Sequence, residues 1–302
     1  MITWRLIVLP LCLLTCTSAK LRAPTSILSE GSPSLNYRAY RQAPRPSFDS
    51  SNSRSAETKE HLQYERRSLT DFATRGSRKG FIRKVYSIFC AQMVCTIAIT
   101  SVIMNDGNIQ NFLLRNFKAF LISAYLISTG VIVALVSNPR LRYIAPVNFV
   151  LLGLHTVMQS ILVGIFSSAI NPRLVCLGTI HTLGTFLAIT LYSFQPNEKF
   201  DLTNFGNVLL TGSSSLLVGI VLNFFLKMPL IDNIISGALA VLFASYMAFD
   251  TQKIVGGKHH KYSYSQKEYI LAALNLYQDV INFFMQIMSI LTKLEKRNNN
   301  VT

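Results

Sequence analysis

Acidic residues are scarce in this chain. It has 14 Asp and Glu against 29 Lys and Arg, and charged residues make up only 14% of its 302 positions. Soluble domains carry about 25% charged residues, so this content, in a chain that is 50% hydrophobic, excludes an ordinary soluble core. The five cysteines (Cys12, Cys16, Cys90, Cys95, Cys176) include no CxxC pair, which excludes the common zinc and redox motifs. All five sit in apolar stretches and read as small packing residues. The net charge of +15 raises nucleic acid as a partner. That partner is rejected, because the basic residues lie in the N-terminal segment and in short linkers, where membrane proteins keep them to set topology. What remains is apolar residues in long blocks, the pattern of a polytopic membrane protein whose first partner is the lipid bilayer.

Residues 1–19, MITWRLIVLPLCLLTCTSA, resemble a signal or targeting segment, with one early Arg, an apolar run and a small-residue cleavage pattern at Thr17 and Ala19. Residues 20–79 are rich in Ser, Arg and Pro and lack aliphatic periodicity, so they read as a disordered basic tail or a transit region. Seven apolar blocks follow within 80–294: Val85–Met104, Ala119–Val136, Val147–Ser168, Leu174–Phe194, Val208–Leu226, Ile231–Val255 and Tyr269–Leu291. Each is close to the ~20 residues that span the hydrocarbon. The linkers are short and carry breakers, among them NDGN, NPR twice and KMP. An all-α, up-and-down bundle is expected, with 295–302 as a short polar tail.

Lys and Arg bias the orientation. Arg75, Arg78, Lys79, Arg83, Lys84, Arg140, Arg142, Lys199, Lys253, Lys258, Lys261 and Lys267 share one side. Arg115, Lys118, Arg173, Lys227, Lys293, Lys296 and Arg297 share the other. The excess places the start of the first span in the cytosol. A cleaved secretory signal at 1–19 conflicts with this; an organellar transit peptide does not.

Chemistry enters with the last two blocks. Asp279 lies inside the last one, where an ionised carboxylate costs about 2.5 kcal/mol or more to insert. Asn275, Asp279, Asn282 and Gln286 are spaced four, three and four apart, so they share a helix face. Such a stripe must turn to the bundle interior or to a water-filled path. Asn275, Asn282 and Gln286 are equally explained as interhelical hydrogen-bonding residues. Asp250, near the cytosolic end of the preceding block, is the expected partner of Asp279. Ser265 and Glu268 offer a capping box for the last helix, and the two carboxyls meet if that helix begins outside the bilayer. Two carboxylates in one low-dielectric site cannot both ionise cheaply, so the pair can share a proton. It can sense pH, hold Ca2+ transiently or activate water. Ca2+ needs about six to eight oxygens in all. His155 and His181 read as neutral, hydrogen-bonded core residues, and His259 and His260 as solvated in a basic loop able to touch anionic lipid.

The block FDTQKIVGGKHHKYSYSQKEYILAALNLYQDVINFF, Phe249 to Phe284, resembles the signature of the Bax-inhibitor/lifeguard family (transmembrane Bax-inhibitor-motif proteins). FIRKVYSIFCAQMVCT (Phe81 to Thr96), PVNFVLLGLHT (Pro146 to Thr156) and YSFQPNEKFDLTNFG (Tyr192 to Gly206) match its first-span start, third-span start and FQTKxDFT turn. The resemblance covers about residues 80 to 292 and is nearest the lifeguard and Golgi anti-apoptotic branch. It implies seven helices with the last one central, and a pH-sensitive calcium leak from a lumenal store, gated by an Asp pair at the positions of Asp250 and Asp279. It also implies suppression of stress-induced cell death. Some bacterial relatives latch the pair with a second-span Arg. Here Arg115 and Lys118 lie only at that span's entrance, and residues 1–79 fall outside the match.

The leading expectation is therefore a Ca2+ leak channel or Ca2+/H+ exchanger of an ER/Golgi membrane, or alternatively of the mitochondrial inner membrane, needing no cofactor beyond the permeant ion. The alternative is a non-transporting protein that binds apoptosis regulators or calcium channels. Intramembrane aspartyl proteases also place two Asp on adjacent spans, but they carry GxGD where this chain has LYQD, and no PAL motif follows. The chain is not read as an enzyme.

Overall fold

The computed structural model describes the backbone from Ser50 to Asn299 except residues 195–201, 257–263 and 266, and side chains from Gly76 onward apart from those of Pro139, Thr203 and Asn204. The segment 1–19, Cys12, Cys16, Lys199, Lys258, His259, His260 and Lys261 lie outside the described residues. Among the described residues all regular structure is helical. Helix α1 spans Ser50–Asn105, α2 Gly107–Arg115, α3 Phe117–Ser137, α4 Pro139–Tyr143 and α5 Val147–Ser168. Helix α6 spans Pro172–Ser193, α7 Gly206–Leu226, α8 Pro229–Val255 and α9 Tyr269–Asn299. The described residues divide into two units, 50–80 and 81–299.

The breakers define the helix ends. Asp106 caps α2, its Oδ1 accepting from the backbone N–H of Asn108 (2.8 Å) and Ile109 (3.2 Å). Each NPR places its proline in the first turn of a helix, where a missing N–H costs nothing. Asn171 Oδ1 also accepts from the N–H of Arg173 at 3.1 Å. Gly256, at φ 59°, ends α8 in a backbone region that favours glycine. Helix α1 departs from expectation by starting at Ser50, inside the segment read as a disordered tail. No proline interrupts Ser50–Asn105, and the run SAETKEHLQYERR is made largely of good helix formers. Propensity therefore acts there without an apolar stripe.

Among the described residues, six helices are long and apolar enough to cross a membrane: Gly76–Asn105 within α1, then α3, α5, α6, α7 and α8. Their outer faces carry Val94, Ile122, Leu126, Val150, Ile180, Leu191, Phe225 and Val241, all exposed. A soluble monomer rarely exposes so much contiguous apolar surface; a bilayer requires it. The protein is an integral, multi-pass, all-α membrane protein. The seventh block behaves differently. Helix α9 packs against α8, α6 and α5, and every residue from Ile270 to Ser289 is buried. The last helix is thus the centre of the bundle, and its polar residues keep its hydropathy below that of the six outer helices. Close packing elsewhere uses small residues. A Cβ at Gly164 of α5 would come within 2.5 Å of Ile103 Cδ1 of α1.

Candidate functional site: a carboxyl pair at the bundle centre

Helix α8 delivers Asp250 one turn before its end, and α9 delivers Asp279 from its buried middle. The chain between them returns against α8, since the backbone N–H of Tyr264 donates to the carbonyl of Lys253 at 3.2 Å. Half of the expected capping box forms, Glu268 Oε2 accepting from the backbone N–H of Ser265 at 3.2 Å, but the helix begins only at Tyr269, so the pair closes the turn that leads into it. Helix α9 therefore starts beyond the last turn of α8 and descends to the depth of Asp250. The two carboxyls meet there, close enough to interact by charge and by hydrogen bond. Asp250 is 6% exposed and Asp279 5%. Among the described residues no donor reaches Asp279 Oδ2.

Two further residues complete the site. Tyr264 is buried, and its hydroxyl donates to Asp250 Oδ1 at 3.0 Å while accepting from Asn275 Nδ2 at 2.8 Å. Burial, and after it the charge of Asp250, hold the Tyr264 phenol well above its ordinary value, so it remains a neutral donor. Lys253, one turn after Asp250, places Nζ 3.8 Å from Asp250 Oδ1 and over the rings of Tyr264 (4.3 Å) and Phe249 (5.0 Å). Among the described residues, no donor reaches the buried Asn275 Oδ1. Neither Lys253 nor Tyr264 was singled out from the sequence. Lys253 stands at i+3 from Asp250, a helical contact spacing that was available; Tyr264 arrives across a loop and carried no local signal.

The rest of the stripe is buried too. Asn282 accepts from Gln278 Nε2 at 3.0 Å, and Gln278 Oε1 in turn lies 3.1 Å from His155 Nε2. Gln159 Nε2 reaches the same Gln278 Oε1 at 3.4 Å. Gln286 is buried, and among the described residues no donor reaches its Oε1. A second polar cluster thus joins α5 to α9, and beside it Tyr277 meets Thr96 at 2.9 Å. Because a Gln carbonyl can only accept, His155 carries its proton on Nε2, the hydrogen-bonded core histidine expected. His181 is a correction. It is exposed and stacks on Phe283, with ring centroids 5.8 Å apart, because the face of α6 that carries it turns outward.

Two cations assigned by position to the cytosolic face are buried instead, Lys253 and Arg142. Arg142 Nη2 donates to the Val136 carbonyl at 2.7 Å and Nε to that of Leu135, satisfying orphan carbonyls at the end of α3. Cys90, Cys95 and Cys176 are free thiols. The described residues include no cluster of three or more His, Cys, Asp or Glu able to hold a metal. Any divalent ion at the carboxyl pair must therefore draw on amide and water oxygens.

Residues 78–296 match the family model described as inhibitor of apoptosis-promoting Bax1. Bax inhibitor 1 of Schizosaccharomyces pombe is 30% identical over 86% of this chain and 93% of its own length. Protein LIFEGUARD 4 of Arabidopsis thaliana is 32% identical over 72% and 86%, and protein lifeguard 3 of Homo sapiens 31% over 72% and 70%. None of these names denotes an enzyme.

Proposed function

Since the chain belongs to the Bax-inhibitor/lifeguard family, we propose that it is an anti-apoptotic membrane protein that works as a pH-sensitive Ca2+ leak, or Ca2+/H+ exchanger, of an ER/Golgi membrane. The observation that carries this reading is the buried contact between Asp250 and Asp279 on adjacent helices. Two like charges about 4 Å apart repel by about 4 kcal/mol at an effective dielectric of about 20. The pair in contact therefore needs a proton or a cation between its oxygens. Losing the proton leaves a site that either separates, shifting α8 against α9, or recruits a cation. Among the described residues, Asp279 Oδ2 and Asn275 Oδ1 supply buried acceptors without donors. They fall short of the six to eight oxygens of a storage site, which suits passage better than retention. Helix α9 serves in this reading as the seventh span and lines the path.

Ca2+ efflux from proteoliposomes tests it across about pH 6 to 8. The wild type is expected to conduct in a pH-dependent way. Asp279→Asn, which removes the titrating group while keeping its shape, is expected to abolish the pH dependence. An unchanged flux and profile would overturn the reading.

The family description, an inhibitor of apoptosis-promoting Bax1, favours a second reading in which the protein restrains death regulators by contact. Cell survival with Asp250→Asn and Asp279→Asn combined separates the two. Protection that persists without the pair supports contact, and protection lost with the flux supports the leak.

A further inference from the structure

We infer that Lys253 is a tethered cation that occupies the ion position of the carboxyl pair, so that a divalent ion and the lysine ammonium exclude each other. This rests on the leak reading above and adds a residue that sets how easily the ion enters. The lysine is 5% exposed, although an ammonium on a four-carbon stem usually reaches water. Its Nζ is held from three sides: Asp250 Oδ1 at 3.8 Å, the Tyr264 ring at 4.3 Å and the Phe249 ring at 5.0 Å. Aromatic faces attract cations, most strongly where water is excluded. Tyr264 is fixed in turn by its bonds to Asp250 and Asn275. The cage is therefore built from the same residues as the carboxyl site.

Charge decides what the site can accept. Among the described residues, the charged or titratable groups facing the pair are Lys253 from α8 and Tyr264 from the returning loop, with Asp250 and Asp279 facing each other. The phenol is neutral. When both carboxyls are ionised, one ammonium leaves a single negative charge, which one proton cancels. A divalent ion beside the ammonium leaves the buried site with a positive charge, whereas with the ammonium withdrawn the ion neutralises it. Buried uncompensated charge is costly, so the two neutral states are lysine plus proton, or divalent ion alone. The flexible lysine stem, with its compact ammonium, permits withdrawal past Phe249.

The test uses the full chain, purified and reconstituted, with Ca2+ alone as the probe. Thermal stabilisation by Ca2+ reports binding, and vesicle efflux reports passage. Lys253→Met, which keeps the length of the stem without its charge, is expected to bind Ca2+ at least tenfold more tightly than the wild type and to leak faster at the same pH. Lys253→Arg is expected to restore weak binding, which a purely packing role would not produce. Phe249→Leu keeps the lysine but removes one wall of its cage. It is expected to tighten binding by a smaller factor, and it tests the idea should Lys253→Met fail to fold. Equal Ca2+ dependence in the wild type and in whichever of Lys253→Met and Phe249→Leu folds overturns the inference, whatever the flux. Tighter binding in these variants with no efflux from any protein overturns the leak reading and leaves the tethered cation standing.

Discussion

Arg142 Nη1 lies 3.2 Å from Glu268 Oε1, joining α4 to the residue just before α9. The arginine is 1% exposed and the glutamate side chain 20%. Arg142→Met removes the ion pair together with two carbonyl bonds at the end of α3. Breaking a buried pair costs about 3–5 kcal/mol, and the partial exposure of Glu268 places the loss near about 3 kcal/mol. Melting in detergent is expected to show it, with a smaller loss for Glu268→Gln.

Tyr264→Phe strands Asn275 Nδ2 and removes the donor to Asp250. An unsatisfied buried polar group costs about 1–3 kcal/mol, read as a lower melting temperature. The same variant changes the alkaline limb. The Tyr264 phenol is held above its ordinary value in the folded protein, so the fold binds the proton more tightly than the unfolded chain does. Its contribution is complete below about pH 10 and is lost as pH rises above that towards the folded value. Melting followed from neutral to alkaline pH should show this decline in the wild type and a weaker one in Tyr264→Phe.

At the other end of the same helix pair, Lys293 is ion-paired with Asp232 and donates to Ser236 Oγ at 2.6 Å. Both charged side chains are about one-fifth exposed. Asp232→Asn is therefore expected to cost only about 1 kcal/mol and to leave the pH profile of efflux unchanged. A large shift in that profile would show that this end also takes part in gating.

Gly164 faces Ile103 too closely for a side chain. Ile103 is β-branched and packs with Leu113 and Ile165, so it yields little. Gly164→Leu is expected to destabilise by about 1–3 kcal/mol through overpacking, seen as reduced yield and a lower melting temperature. Gly153 has no atom within contact distance of an added Cβ, and Gly153→Ala serves as the neutral control.

The spans were legible because hydropathy and breakers are local properties: the block read as Val147–Ser168 is α5, and both NPR motifs start helices. Asp250 and Asp279 were legible because a carboxylate in an apolar run is conspicuous by itself. Arg142 and Lys253 were not, because a cation beside a span looks the same in sequence whether it points to water or turns inward. Gln278 stands i+3 from Asn275 and i−4 from Asn282, so its bond to Asn282 follows a legible helical spacing, whereas the approach of His155 and Gln159 from α5 left no local signal.

By composition and spacing alone, the sequence determined that this chain lives in a bilayer, where its apolar spans lie and which breakers interrupt them, and which two carboxylates are costly. These follow from solvation and backbone geometry, which act residue by residue. Tertiary structure alone decided that α9 is enclosed along twenty consecutive residues, that the carboxyls touch, and that Lys253 and Tyr264 close over them. Those outcomes depend on which faces meet across helices far apart in the chain. Inside a bundle, a buried charge settles against the nearest partner that the packing provides.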